Sequence, residues 1–233
     1  AEERLAELLP RYPVRRAGQT IDVALGAAPG EVDQKIKPVR IFADAAQGWQ
    51  ITLTETAVAL ETTAYISRDD FSTRARELFD AVAQVAPPPV VDRIGLRYVD
   101  RLEGSLLDRL HDYVIPPLRV LHGTIGEDLS LEHSVSDSQI VLGDNERLKV
   151  RSGLLPPGGV FDPVLPPVSS QSWLLDLDVF TLQAGFPFEP EALDERLRRY
   201  ADHVHSFFRW AVTETFINEF RDTSNQTAGG GPG

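Results

Sequence analysis

The sequence predicts an α+β fold made of two similar halves, each a curved antiparallel β-sheet packed on a long helix. The main observation is an order that occurs twice. Segments alternating apolar and polar residues, as in strands with one buried face, precede a long amphipathic helical pattern at residues 20–86 and again at 129–220. A second observation is that prolines at 87–89 and 116–117 end helical patterns. The two sheets are expected either to be separate or to join as one shared sheet.

The composition limits the kind of protein. A chain of 233 residues can bury a core without staples, and the lack of cysteine excludes a thiolate nucleophile, a disulfide and a sulfur-ligated zinc site. The formal charge of −12 makes nucleic acid an unlikely partner, since binding to phosphate backbones needs clustered cations. No leader-like segment and no apolar run of ~20 residues is present, so we expect a cytoplasmic protein with no membrane association. No cofactor motif is recognisable.

Residues 1–122 form the predicted amino-terminal half. A short opening helix should end at Pro10, and Ser67 followed three residues later by Asp70 has the spacing of a capping box before a helix at about residues 69–86. Strands are predicted at Thr20–Leu25, at Trp49–Thr54 and Val58–Ile66 as a hairpin, and at RIGLRYVD, with a loop over 26–34 and a short helix at Ser105–Ile115.

Residues 123–222 form the predicted carboxy-terminal half, and residues 223–233 a flexible tail with too few apolar residues to fold alone. Strands are predicted at Leu129–Val135, Ser138–Leu142, Arg147–Ser152 and WLLDLDVF, and one long helix at about residues 190–220. The aromatic residues of this half are predicted to lie in the core under the sheet, namely Trp173, Phe207, Phe208 and Trp210.

A family resemblance covers about residues 40–220 and is carried by three pieces of the chain. These are GWQITLTETAVALETTAYISRDDF, VDRIGLRYVDRL, and WLLDLDVF before a helix with FFRWAVTE. The chain resembles a sporadically distributed family of bacterial conserved-hypothetical proteins. Asp100 stands where the resemblance leads us to expect Asn. The resemblance implies no settled activity, and the patchy distribution of the family is similar to that of accessory genes on mobile elements or near defence loci.

The most informative polar residues lie on two predicted strands: Arg93, Arg97 and Arg101 on one, and Asp176 and Asp178 on the other. If the strands are neighbours, these side chains either form structural cross-strand ion pairs or line a groove for a carboxylate or phosphate. The two aspartates also point to one strand face and could contact Mg²⁺ or Mn²⁺, but the sequence places no third ligand. His203 and His205 do not face each other on a helix, so no metal site is predicted.

The apolar stripe of the last predicted helix continues to Phe216 and Phe220, which are candidate interface residues for a second copy or another protein. Alternatively, the amino-terminal helix covers them through Leu5, Leu8 and Leu9.

The sequence therefore favours a non-catalytic recognition or assembly module of a bacterial accessory system, binding a protein partner or itself as a homodimer. The alternative is a metal- or Arg-dependent enzyme acting on a phosphorylated or carboxylated small molecule. An enzyme should bring the arginines and aspartates together in an open pocket, whereas a module should pair them on a closed or flat face.

Overall fold

Two antiparallel sheets of four strands make up the β-structure of the described chain. The computed structural model describes residues 2–25, 32–119, 121–123, 125–126, 128–143, 145–162, 165–182 and 185–227. The strands are β1 (Val14–Leu25), β2 (Val32–Ala43), β3 (Trp49–Leu53), β4 (Val58–Thr62), β5 (Gly95–Glu103), β6 (Ser134–Val141), β7 (Glu146–Leu155) and β8 (Ser172–Thr181). The helices are α1 (Glu2–Leu8), α2 (Arg68–Val85), α3 (Ser105–Asp108), α4 (Leu110–Tyr113), α5 (Pro190–Ala211) and α6 (Glu214–Thr227). The α+β class is confirmed.

The chain divides into two compact units, and the division differs from the predicted boundary at residue 122. One unit contains Ala1–Val90 with Pro187–Glu195, and the other Val91–Phe186 with Arg196–Gly233. Residues 91–122 belong with the second sheet because β5 pairs with β8. The two sheets are separate within the described residues. No described helix is long and apolar enough to cross a membrane.

The first sheet is a meander in which each strand pairs with the next, in the order β1-β2-β3-β4. The predicted hairpin is present, with Ile51 opposite Leu60. Strand β2 was not predicted: its beginning falls in the predicted loop at 26–34, of which 26–31 lie outside the described residues. Its apolar residues Val39, Phe42 and Ala43 are nonetheless buried. Burial against the rest of the unit therefore outweighs the weak local strand pattern of this segment.

Helix α2 packs on this sheet and begins as predicted. Ser67 is its N-cap, and the Ser67 side chain accepts a hydrogen bond from the backbone N–H of Asp70 at 3.1 Å. The core of the unit combines residues of α1, of the segment between α1 and β1, of α2 and of the sheet, namely Leu5, Leu9, Tyr12, Phe42, Trp49, Ile51, Leu78 and Ala81. Leu5 of α1 and Leu9, which follows the helix, therefore belong to this core, and Leu8 packs against it.

The second sheet has the order β5-β8-β7-β6, with β8 in the interior. The two motif strands, whose adjacency the sequence left open, are neighbours and antiparallel, with Arg97 opposite Asp178. Strand β6 is one strand, Ser134–Val141, whereas the sequence predicted two strands separated after Val135. The second sheet packs on α5, where the Tyr200 hydroxyl contacts Glu146 of β7 at 3.3 Å.

The predicted helix at 190–220 is two helices, α5 and α6. The break lies at Val212 and Thr213, where Val212 forms a β-bridge with Val114 and the N–H of Thr213 donates to the carbonyl of Tyr113 at 2.9 Å. The Thr213 hydroxyl then accepts from the N–H of Phe216 at 3.3 Å and caps α6. Helix α6 continues to Thr227, into the segment predicted to be a tail, while 228–233 lie outside the described residues.

Candidate functional site

One face of the second sheet carries four of the five predicted residues, Arg97 and Arg101 of β5 and Asp176 and Asp178 of β8. Arg93, which was predicted on the first of these strands, precedes β5. Directly opposite residues of antiparallel strands point to the same side, and Arg97 lies opposite Asp178 while Asp176 lies opposite Arg151 of β7. Arg101 is on the same face because it is four residues from Arg97 along β5. The face therefore carries alternating positive and negative side chains from three strands.

Asp176 is the centre of this arrangement. Its side chain is 1% exposed, and its Oδ1 and Oδ2 accept from Nε and Nη2 of Arg97 at 2.8 and 2.9 Å. Arg151 contacts the same carboxylate through its Nε, 2.9 Å from Oδ2, and through its Nη2. A carboxylate this deeply buried needs paired cations, and two arginines supply them.

Asp162 supplies a second carboxylate, which balances the second positive charge of the Arg97 and Arg151 pair. Asp162 Oδ2 accepts from Nη2 of Arg97 at 2.9 Å and from Nη2 of Arg151 at 3.1 Å. Two guanidinium groups thus share two carboxylates, and we call these four residues the arginine–aspartate cluster. Burial disfavours the charged form of Arg97, but the hydrogen bonds and charges of Asp176 and Asp162 outweigh it and raise the pKa of this guanidinium.

Asp162 comes from the segment between β7 and β8, residues 156–171, which we call the strap; its residues 163 and 164 lie outside the described part of the chain. Further contacts fasten the strap to the sheet. The guanidinium of Arg151 lies 4.5 Å from the ring centroid of Phe161, and Nη1 of Arg101 donates to the carbonyl of Pro166 at 2.9 Å. The Ser170 hydroxyl donates to Glu103 at 2.9 Å. The cluster therefore ties the strap to β5, β7 and β8.

Arg93 and Asp178 form a further ion pair on this face. Nη2 of Arg93 donates to Asp178 Oδ2 at 3.1 Å, and the Arg93 side chain is 56% exposed. Burial raises the pKa of Asp178, against the opposing effect of the charges on Arg93 and Arg97. Because the Arg93 side of this pair is exposed to solvent, the pair contributes ~0–1 kcal/mol to stability.

The chemistry of the arrangement is that of anion binding by fixed guanidinium groups, already matched by internal carboxylates. Arginine stays protonated at any physiological pH, so it orients and neutralises carboxylates and does not exchange protons with them. Asp176 and Asp178 each contact an arginine, which differs from the free paired carboxylates that a divalent cation binds. Among the described residues, no three His, Asp or Glu side chains are grouped so as to bind a metal ion.

Asp100 lies on the opposite, mainly apolar face of β5, two residues from Leu102 and opposite Leu175. Burial raises the pKa of this carboxyl from 3.8 to about 6. Burial therefore disfavours the charged form of Asp100, which is the residue at which the resemblance leads us to expect Asn.

A cleft of about 350 Å³ lies beside the start of β6. It is lined by His122, Gly123, Ile125, Gly126, Leu129, Ser130, Leu131, Leu154 and Gln171. Burial lowers the pKa of His122, and the positive charge of Arg119 acts in the same direction. None of the arginines and aspartates predicted from the sequence lines this cleft.

Phe216 and Phe220 are half-buried inside the second unit. Their rings lie 5.7 and 6.2 Å from the ring of Tyr113 and 4.4 Å from each other, between centroids. The leucines named in the alternative, Leu5, Leu8 and Leu9, lie in or against the core of the first unit. The prediction that Trp210 lies in the core is also wrong: it is 53% exposed, whereas Trp173 is 2% exposed.

Sequence reasoning missed two members of the cluster, Arg151 and Asp162. Arg151 had a usable signal, since it is the middle of an alternating strand whose other face is apolar. Asp162 had none, because it lies in a Pro- and Gly-rich segment whose path over the sheet is set by tertiary contacts.

Comparisons with protein families, with curated proteins and with solved structures found no match to this chain.

Proposed function

We propose that this protein is a non-catalytic recognition or assembly module that binds an extended segment of a protein partner, or of a second copy, along strand β6. The observation that carries the proposal is the open edge that β6 presents. It is an outer strand of the second sheet, and its last five residues, Asp137–Val141, are all exposed. Ile140 and Val141 are 39% and 66% exposed. An open strand offers unpaired backbone donors and acceptors to another extended chain.

The other three outer strands differ from β6 in ways that discourage strand addition. Strand β1 carries Arg15 and Arg16, and β4 has only five residues, one of them Glu61. Strand β5 carries Arg97, Asp100, Arg101 and Glu103. Charges and shortness are the usual protections of an edge.

Strand β6 has eight residues and one charged side chain, Asp137, which Lys149 of β7 contacts at 3.1 Å. Serines, a glutamine and apolar residues make up the rest of the strand. A strand of this length and polarity is suited to being covered by another chain. The bacterial accessory context, on a mobile element or near a defence locus, is part of the same proposal and is supported by the sequence resemblance alone.

The experiment is a selection of displayed random peptides against the full-length protein. Peptides with alternating apolar residues should be enriched, and their binding should fall at least about tenfold on the Ile140→Asp, Val141→Asp variant. Val90→Asp is the matched control, because Val90 is a similarly exposed apolar residue, at 47%, in the first unit. Enriched peptides that bind both variants equally, or no enrichment together with a monomeric protein, would overturn the proposal.

A further inference from the structure

Strand β6 has a sequence that can pair with itself, and this identifies one specific occupant of the open edge. We propose that two copies of the protein associate by antiparallel pairing of β6 with β6 of the second copy, with Ser138 on the two-fold axis. This inference rests on the proposed function of β6 as a binding edge. The result would be a continuous eight-stranded sheet built from the two second sheets, each of four strands.

The faces of the sheet restrict the possible registers. In β6, Val135, Asp137, Gln139 and Val141 share one face, since Asp137 is opposite Arg151, and Ser136, Ser138 and Ile140 share the other. A two-fold axis perpendicular to the sheet keeps each face on its own side. Because directly opposite residues point to the same side, one residue of β6 must then lie opposite its own copy.

Charge and overlap select among these registers. Centring on Asp137 would place two carboxylates directly opposite each other, which is unfavourable. Centring on Ser136 or Gln139 moves the axis towards one end of Ser134–Val141 and leaves fewer residues paired. Ser138 remains as the centre that combines long overlap with no like charges directly opposite each other.

The Ser138 register also matches side chains on both faces. Val141, 66% exposed in the single chain, would lie opposite Val135 of the second copy. Asp137 would lie opposite Gln139, whose amide can donate to the carboxylate, and Ile140 opposite Ser136. The side chain of Asp137 is 53% exposed next to Lys149, so its charge is partly balanced before the copies meet. The side chains of β6 are therefore complementary to those of a second, antiparallel β6.

Because Ser138 lies on the axis, a charge introduced at this position in both copies is directly opposite the same charge of the second copy. This allows a charge-exchange experiment. Ser138→Asp and Ser138→Lys should each weaken dimerisation at least about tenfold relative to the wild type, measured by sedimentation equilibrium. A 1:1 mixture of the two variants should dimerise again, because an opposite-charge pair then lies across the axis. Val160→Asp and Val160→Lys are controls at a residue that is 67% exposed in the strap.

Three outcomes oppose the inference. A wild-type protein that stays monomeric up to about 1 mM, a dimer equally stable in both Ser138 variants, or a mixture that fails to reassociate would each overturn pairing centred on Ser138. Unchanged circular dichroism of the variants shows that they are folded. Peptide binding along β6 is measured separately, so a monomer that still binds displayed peptides refutes self-pairing and leaves the proposed function standing.

Discussion

Replacement of Arg97 by alanine should destabilise the second unit far more than loss of an ordinary surface arginine. Arg97 donates two hydrogen bonds to Asp176, at 2.8 and 2.9 Å, and one to Asp162. Removing one partner of a buried ion pair costs about 3–5 kcal/mol, since a charge stays buried without compensation. Arg151 still contacts Asp176 in the variant, so we expect about 3 kcal/mol, near the lower limit.

Urea denaturation followed by circular dichroism measures this loss as a lower transition midpoint at unchanged slope. In thermal unfolding, about 3 kcal/mol corresponds to a Tm lower by about 6–12 °C for a protein of this size. Arg93→Ala is the matched control, because Arg93 binds Asp178 on the same face but is 56% exposed and should cost ~0–1 kcal/mol. Equal losses in the two variants would refute the idea that the cluster is a buried, mutually dependent ion network.

Three further variants test other parts of the structure. Asp100→Asn should stabilise the protein at pH 7.5 by up to about 3 kcal/mol and have little effect at pH 4. The folded-state pKa of Asp100 is about 6 and the unfolded-state pKa is ~3.9, so the wild type loses stability as the pH rises through this interval. A gain that is independent of pH, or an equal gain from the exposed Asp92→Asn, would contradict this. Asp162→Ala should lower Tm, because Arg97 and Arg151 are left with one unmatched positive charge. Formate should restore more of the lost Tm than chloride does at equal ionic strength, since a carboxylate can replace that of Asp162. Identical effects of the two salts would argue against a carboxylate-specific site. Thr213→Ala should lower the free energy of unfolding by about 1 kcal/mol through loss of the α6 cap, whereas Thr213→Ser should not. Equal stability of the wild type and the two variants in urea would show that the cap contributes nothing.

Local sequence patterns predicted the elements that are locally encoded. The capping box at Ser67 and Asp70 needs only neighbouring residues, and the hairpin from Trp49 follows from alternation and a short connection. The motif strands around Arg97 and Asp176 were also recognised as carrying the polar face, although their partners within the cluster were incomplete. Such features depend on short-range geometry, which a single sequence displays directly.

The missed features depend on contacts between distant residues. The apolar periodicity continues past Thr213, and helix α5 ends where Val212 and Thr213 contact residues 112–114, about a hundred residues earlier in the chain. Trp210 has the composition of a core residue but lies on the exposed side of α5, where its ring contacts Phe207 at 5.1 Å. Asp162 joins the cluster across 65 residues from Arg97. Periodicity cannot show which side of an element faces a particular neighbour.

The strand order of the second sheet has a consequence for how the chain folds during synthesis. In the first sheet every strand pairs with the next, so its hairpins can close as soon as they are made. Strand β5 instead pairs with β8, and Arg97 meets Asp176 only after 79 further residues have been added. During that interval β5 carries charged side chains without their partners, and closing so long a loop is entropically slow. The second sheet should therefore be completed last. Pulse-labelled hydrogen exchange should show β5 and β8 gaining protection together, after the first sheet. Earlier protection of β5 would contradict this order.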